Sequence, residues 1–142
     1  MKIHRRGNTV WHGGIRDGKG AISTESGALA AYPYGFASRF DGQPGTNPEE
    51  LIAAAHAGCF TMALSLILGE AKFVAETMET SAKVTLEQVE GGYAITQVDL
   101  ALRAKVPGIT PEKFLELAAT AKAGCPVSKL LKAEITLDAA LI

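Results

Sequence analysis

The chain has 142 residues, enough for one ordinary domain with its own core. Its 14 basic and 15 acidic residues are well mixed and leave a formal net charge of −1, which argues against nucleic acid or an anionic membrane surface as the main partner. The hydrophobic share of 47% is that of a globular protein, and the three histidines, His4, His12 and His56, lack metal-ligand spacing.

The first forty residues read as strands and turns. Thr9-Val10-Trp11 and Ala21 to Thr24 are short β-prone runs bounded by glycines, and Phe36 to Phe40 is a third candidate strand. The segment DGQPGTNP is a loop rich in turn residues. It ends in a helix start: Asn47 fits the N-cap, Pro48 the first helical position, and Glu49 and Glu50 favour the positive end. Glu50 is placed to complete a capping box with Asn47.

The helix that follows runs to about Gly69 and is apolar on nearly every face, so it must be covered all round. One small sheet covers a single side, which makes a second subunit the natural source of the remaining cover. Residues 51–68 carry no Asp, Glu, Lys or Arg and meet the length of a membrane span. Their alanine content, His56, Thr61 and Ser65, and flanks of Glu49, Glu50 and Glu70 in place of basic anchors argue against that reading.

The chain then returns to β. Ala82, Val84 and Leu86 alternate with polar residues, as do Val98, Leu100, Leu102, Ala104 and Val106, and Gly91-Gly92 lies between the two runs. This predicts a hairpin with one wet face. Thr110-Pro111-Glu112 opens an amphipathic helix with Phe114, Leu117, Ala118 and Ala121 on one stripe. Gly124 ends it, Cys125-Pro126 starts a short further helix, and Ile135 to Leu141 alternate in a closing strand. The order of elements predicts an α+β fold, without internal repeat or linker.

The two cysteines differ in setting. Cys59 lies in the apolar run AAAHAGCFTMALSLIL and reads as a buried thiol; Cys125 lies in KAGCPVSKLLK, near an N-cap whose free N–H groups favour a thiolate. Together they suggest a reversible disulfide pair, although buried cysteines also serve as small hydrophobes. The N-terminus, MKIHRRGNTVW, has no apolar signal region, so a cytoplasmic protein is expected, in which a disulfide would be transient. His56 stands three residues before Cys59, but no third group presents itself to orient its imidazole, and a core histidine is expected. Trp11 reads as a packing residue, and Lys122, Lys129 and Lys132 as a solvated face.

The stretches GKGAISTESG, YPYGFASRFDG, GTNPEELIAAAHAGCFTMALS and KAGCPVSKLLKAEITLDA together resemble the OsmC/Ohr family of thiol-dependent organic hydroperoxide reductases, most closely its OsmC branch. The resemblance spans the chain almost end to end. It implies one OsmC-like domain over residues 1–142, with antiparallel sheets packed around a long buried central helix in an intertwined, obligate homodimer. It implies that Cys59 is the peroxidatic thiol and Cys125 the resolving thiol. Arg39, from SRF, and Glu49, the first acid of NPEE, complete the implied site, and Arg16 is the next arginine to consider because the Ohr branch takes its arginine from earlier in the chain. The implied partners are an organic hydroperoxide and a dithiol reductant, a lipoylated protein, with no metal, haem or flavin cofactor and a role in oxidative and osmotic stress defence.

Glu49 and Cys59 are ten residues apart, about 15 Å of rise on a straight helix. Glu49 is therefore expected to meet the thiol of the other subunit. Phe36, Phe60 and Met62 are candidates to line a slot for an alkyl tail. Three other readings stay open: a non-catalytic redox sensor, an apolar small-molecule binding dimer with structural cysteines, and a Cys-His hydrolase.

Overall fold

The computed structural model describes all residues, 1–142, as two compact units, Met1–Leu51 and Ile52–Ile142. The first holds strands β1 (Gly7–His12), β2 (Lys19–Thr24) and β3 (Tyr32–Tyr34), the one-turn helix α1 (Phe36–Phe40) and the start of α2 (Pro48–Glu70). Its three strands form an antiparallel sheet in the order β1-β2-β3.

β3, which carries Pro33, is a strand that the sequence reading does not name. Proline lacks an N–H, and β3 accordingly sits at the sheet edge, where none is needed. Phe36 to Phe40 is helical, not the strand expected from its aromatic content. Ser38 decides this: its hydroxyl accepts from the Gly35 N–H at 2.9 Å and donates to the Thr46 carbonyl at 2.8 Å, closing the turn. The Phe36 and Phe40 rings then stack at i,i+4 with centroids 4.9 Å apart. Gly45, at φ +132°, lets Thr46 bond Pro33 beside this turn; a Cβ there would stand 2.9 Å from both the Pro33 carbonyl and Ser38.

Asn47 caps α2, its Oδ1 accepting from the Glu50 N–H at 2.8 Å. The expected capping box stays open, because the Glu50 carboxylate instead accepts from the Thr46 hydroxyl at 2.8 Å.

The second unit holds the rest of α2, strands β4 (Thr77–Val89), β5 (Gly92–Lys105) and β6 (Glu134–Leu141), and helices α3 (Pro111–Gly124) and α4 (Pro126–Leu130). β4 and β5 form the expected hairpin, and Val98, Leu100, Leu102, Ala104 and Val106 are all buried. Phe114, Leu117, Ala118 and Ala121 of α3 join them in one core with Phe60, Leu64 and Leu68 of α2. Thr110 caps α3 by accepting from the Lys113 N–H.

This sheet is mixed, not wholly antiparallel as expected: β6 runs parallel to β5, pairing Gln97 with Glu134 through Ala104 with Leu141. Alternation of side chains carries no information on strand direction. The direction follows from α3 and α4, a crossover that returns the chain to the starting end of β5.

The chain itself covers α2 along one side. Within the chain only His56, Phe60, Leu64 and Leu68 are buried, one stripe at i,i+4 spacing, while Met62 and Leu66 are 77% and 65% exposed. By length and composition alone α2 is long and apolar enough to cross a membrane.

Candidate active site

The sequence-predicted site residues fall into two pairs, one in each unit. In the second unit α2 carries Cys59, and the break between α3 and α4 carries Cys125, which ends one helix and caps the next. The two sulfurs lie close enough to act on one another's ionisation, and both thiols are free. Their burial inverts the sequence reading. Cys125 is fully buried in the core, whereas Cys59 is half-buried on the flank of α2. The reason is the i,i+4 stripe: His56 and Phe60 face the core, and Cys59 stands beside that line.

The electrostatics of the two sulfurs differ. Burial pushes the Cys59 thiol up; a bond from the Val127 N–H opposes the rise and the Cys125 sulfur adds to it. Burial also pushes Cys125 up, but hydrogen bonds from the Ser128 hydroxyl, the Ser128 N–H, Cys59 and the Val127 N–H outweigh it and leave Cys125 below its ordinary value. The Ser128 N–H lies 3.4 Å and its hydroxyl 3.5 Å from Cys125 Sγ. Within this unit, then, Cys125 is the better-stabilised thiolate, and no cation acts on Cys59.

Ser128 is a site residue that the sequence reading does not find. Its signal is the spacing Cys125-Pro126-Val127-Ser128, which puts its N–H at the third helical position, where an N-cap side chain accepts. His56 bonds this serine, Nε2 to Oγ at 2.7 Å.

An open hollow of about 530 Å³ borders Cys59. Met62, Leu66 and Ile67 of α2 form one wall, and Gly124 and Pro126 the other. Of the three slot candidates only Met62 lines it. Phe60 is fully buried in the core, and Phe36 lines a separate cleft in the first unit.

In the first unit Arg39 and Glu49 are brought together. Arg39 Nη2 donates to Glu49 Oε1 at 2.6 Å, and Nε lies 3.2 Å from both carboxylate oxygens. This holds the guanidinium plane from one side. Glu49 is mostly covered and Arg39 partly exposed, with its guanidinium over the Phe40 ring. Arg16 lies over the Phe36 ring at 4.4 Å.

Two free thiols beside one another on an α+β scaffold are the minimum that a reversible dithiol–disulfide couple needs. The model of the family described as OsmC-like protein matches residues 40–140. Peroxiredoxin OsmC of Escherichia coli strain K12 is 56% identical over 138 residues, covering 97% of this chain and 96% of that one. Organic hydroperoxide resistance protein OhrA of Bacillus subtilis is 33% identical over 99 residues, 67% of each chain. The crystal structure of the organic hydroperoxide resistance protein OhrB of Bacillus subtilis superposes with a TM-score of 0.74 at 30% identity, covering 95% of this chain and 98% of that one. The chain belongs to the OsmC family.

Proposed function

We propose that this protein is a cytoplasmic peroxidase that reduces organic hydroperoxides to alcohols, acting as a homodimer in which residues 1–142 form one working domain. The observation that carries the reading is the contact between Cys59 and Cys125 beside an apolar hollow. The names peroxiredoxin and organic hydroperoxide resistance protein among its relatives point the same way.

In this scheme the Cys59 thiolate attacks the distal peroxide oxygen. An S–O bond forms, the O–O bond breaks, and the alkoxide leaves as ROH after taking a proton. Cys125 then condenses with the sulfenic acid to give a disulfide and water. An external dithiol, which we take to be a lipoylated protein, reopens it by exchange.

The test is steady-state consumption of cumene, tert-butyl and hydrogen peroxides with dihydrolipoamide. Burying about 60 Å² of alkyl surface at about 25 cal/mol/Å² is worth about 1.5 kcal/mol, so kcat/KM for cumene hydroperoxide should exceed that for hydrogen peroxide by roughly tenfold or more. Equal efficiency would remove the alkyl slot. Consumption of a single equivalent would make the protein a redox sensor.

The Arg39–Glu49 pair supplies the positive charge that Cys59 lacks in its own unit. On this proposal the pair of one subunit faces the Cys59 of the other, a reading supported by the ten-residue separation of Glu49 and Cys59 along α2. A guanidinium beside the sulfur opposes the burial that raises its pKa, and steadies the leaving oxygen. In a Cys125→Ser background, Arg39→Ala is expected to slow oxidation of Cys59 at pH 7 by roughly tenfold or more and to move the midpoint of the rate profile to higher pH. The sign follows from the thiolate being the reactive form. Glu49→Gln should slow it less, since the charge stays and only its orientation is lost. Arg39→Lys should restore it in part, because an ammonium lacks the planar fork. An unchanged rate and midpoint in Arg39→Ala would take Arg39 out of the site and bring Arg16 forward.

A further inference from the structure

His56 and Ser128 have no part in the scheme above, yet both are buried and joined to its second thiol. His56 is 0% exposed and Ser128 8%. Nε2 of His56 lies 2.7 Å from Ser128 Oγ, and that oxygen lies 3.5 Å from Cys125 Sγ, which touches Cys59.

The direction of the bonds can be assigned. A serine hydroxyl has one proton to give. Directed at Cys125, it leaves Oγ as the acceptor for His56, so the imidazole carries its proton on Nε2. Nδ1 is then a bare lone pair, and this atom is buried without a partner. The opposite order would bury an unpaired Nδ1–H, the rarer and costlier orphan, and would strip Cys125 of its hydroxyl donor. Burial also holds His56 below its ordinary pKa, so the ring is neutral. A residue kept only for packing would fill this space without an orphaned nitrogen. The lysines next along the chain do not join in: Lys122 Nζ donates to the Ile135 carbonyl at 3.3 Å, and Lys129 is exposed.

We infer that His56 and Ser128 are positioning residues for the resolving step: a relay, His56 Nε2–H to Ser128 Oγ–H to Cys125 Sγ, that holds Cys125 as a thiolate aimed at Cys59. The inference rests on the assignment of Cys125 as the thiol that closes the disulfide. In that step the Cys125 sulfur attacks the sulfenic sulfur of Cys59. The S–S bond forms, the S–O bond breaks, and hydroxide leaves, taking up a proton equivalent to the one Cys125 gave up, so that the net products are disulfide and water. The sulfenic sulfur is reduced as Cys125 is oxidised, and no further oxidant enters. The relay supplies two neutral donors in series, so the sulfur keeps its charge in the core without a buried cation.

The test has two arms. In a Cys59→Ser background, the ultraviolet thiolate absorbance of Cys125 is followed across pH. Ser128→Ala and His56→Phe should each lower the thiolate population at a given pH by roughly tenfold, while His56→Gln, which keeps an N–H near Nε2, should restore most of it. With Cys59 present, the same variants are read at the resolving step, after the first equivalent of peroxide has been consumed. They should slow disulfide formation by about as much, with sulfenic acid accumulating as its dimedone adduct. Unchanged thiolate absorbance and disulfide rate in Ser128→Ala would overturn the relay. So would equal losses in His56→Gln and His56→Phe, since packing alone predicts them. The absorbance arm needs no peroxide, so a protein that consumes none would fail as a peroxidase while the relay is still read.

Discussion

Cys59→Ser is expected to abolish peroxide turnover altogether, including the first equivalent. Cys125→Ser is expected to consume one equivalent and stop, with oxidised Cys59 accumulating. The asymmetry follows from the setting of the two sulfurs. Cys59 is half-buried and borders the hollow, open to a substrate there; Cys125 is fully buried and does not line it. The better-stabilised thiolate is thus the one away from the hollow. On the proposed scheme burial keeps Cys125 from direct oxidation, and its reaction awaits a sulfenic acid on Cys59. Single-turnover peroxide loss, followed by thiol counting, separates the roles. Retention of the first equivalent in Cys59→Ser would reverse the assignment.

The second large effect concerns assembly. The chain is expected to be a dimer at every accessible dilution, with no folded monomer. Met62 and Leu66 project from α2 largely uncovered, and burying each is worth about 1.5–3 kcal/mol. Acidic residues at both ends of α2, in place of basic anchors, argue against a membrane span and favour a second copy as its cover. Leu66→Glu would put a charge into that interface and weaken association by several kcal/mol, a hundredfold or more by order of magnitude. Sedimentation equilibrium over a wide dilution range, without detergent, is the measurement. A stable folded monomer would end the dimer proposal, and the site shared between subunits with it.

Local chemistry was legible wherever one period or one cap decided the outcome. The alternation from Val98 to Val106 marks the buried face of β5, and Thr110-Pro111 and Cys125-Pro126 mark two helix starts that the structure keeps. The settings of Cys59 and Cys125 already suggested a pair; the likeness to a family, carried by whole stretches, implied their separate roles and put Arg39 with Glu49. What escaped were contacts between distant residues. His56 and Ser128 stand 72 positions apart, and nothing in either neighbourhood announces the other. The same holds for strand direction in β6 and for which cysteine lies deeper. A helix apolar all round gives no phase from which to tell the face of Cys59 from that of Phe60. At α1, one serine hydroxyl outweighed the β-propensity of two phenylalanines.

The parallel pairing of β6 with β5 sets an order of events during synthesis. The β4–β5 hairpin and the segment bearing Cys59 can form early, from contacts close in sequence. β6 pairs with a strand made long before it, and closes the loop that contains α3, α4 and Cys125. Such non-local closure is slow, because its entropy cost precedes its gains. On the ribosome Cys59 therefore emerges well ahead of the seat that will hold Cys125. In that interval Cys59 lacks the Val127 and Cys125 groups that act on its sulfur in the finished unit. The thiol–disulfide poise of the compartment, and not the fold, then governs whether the nascent chain reaches its native pairing or is captured by another cysteine.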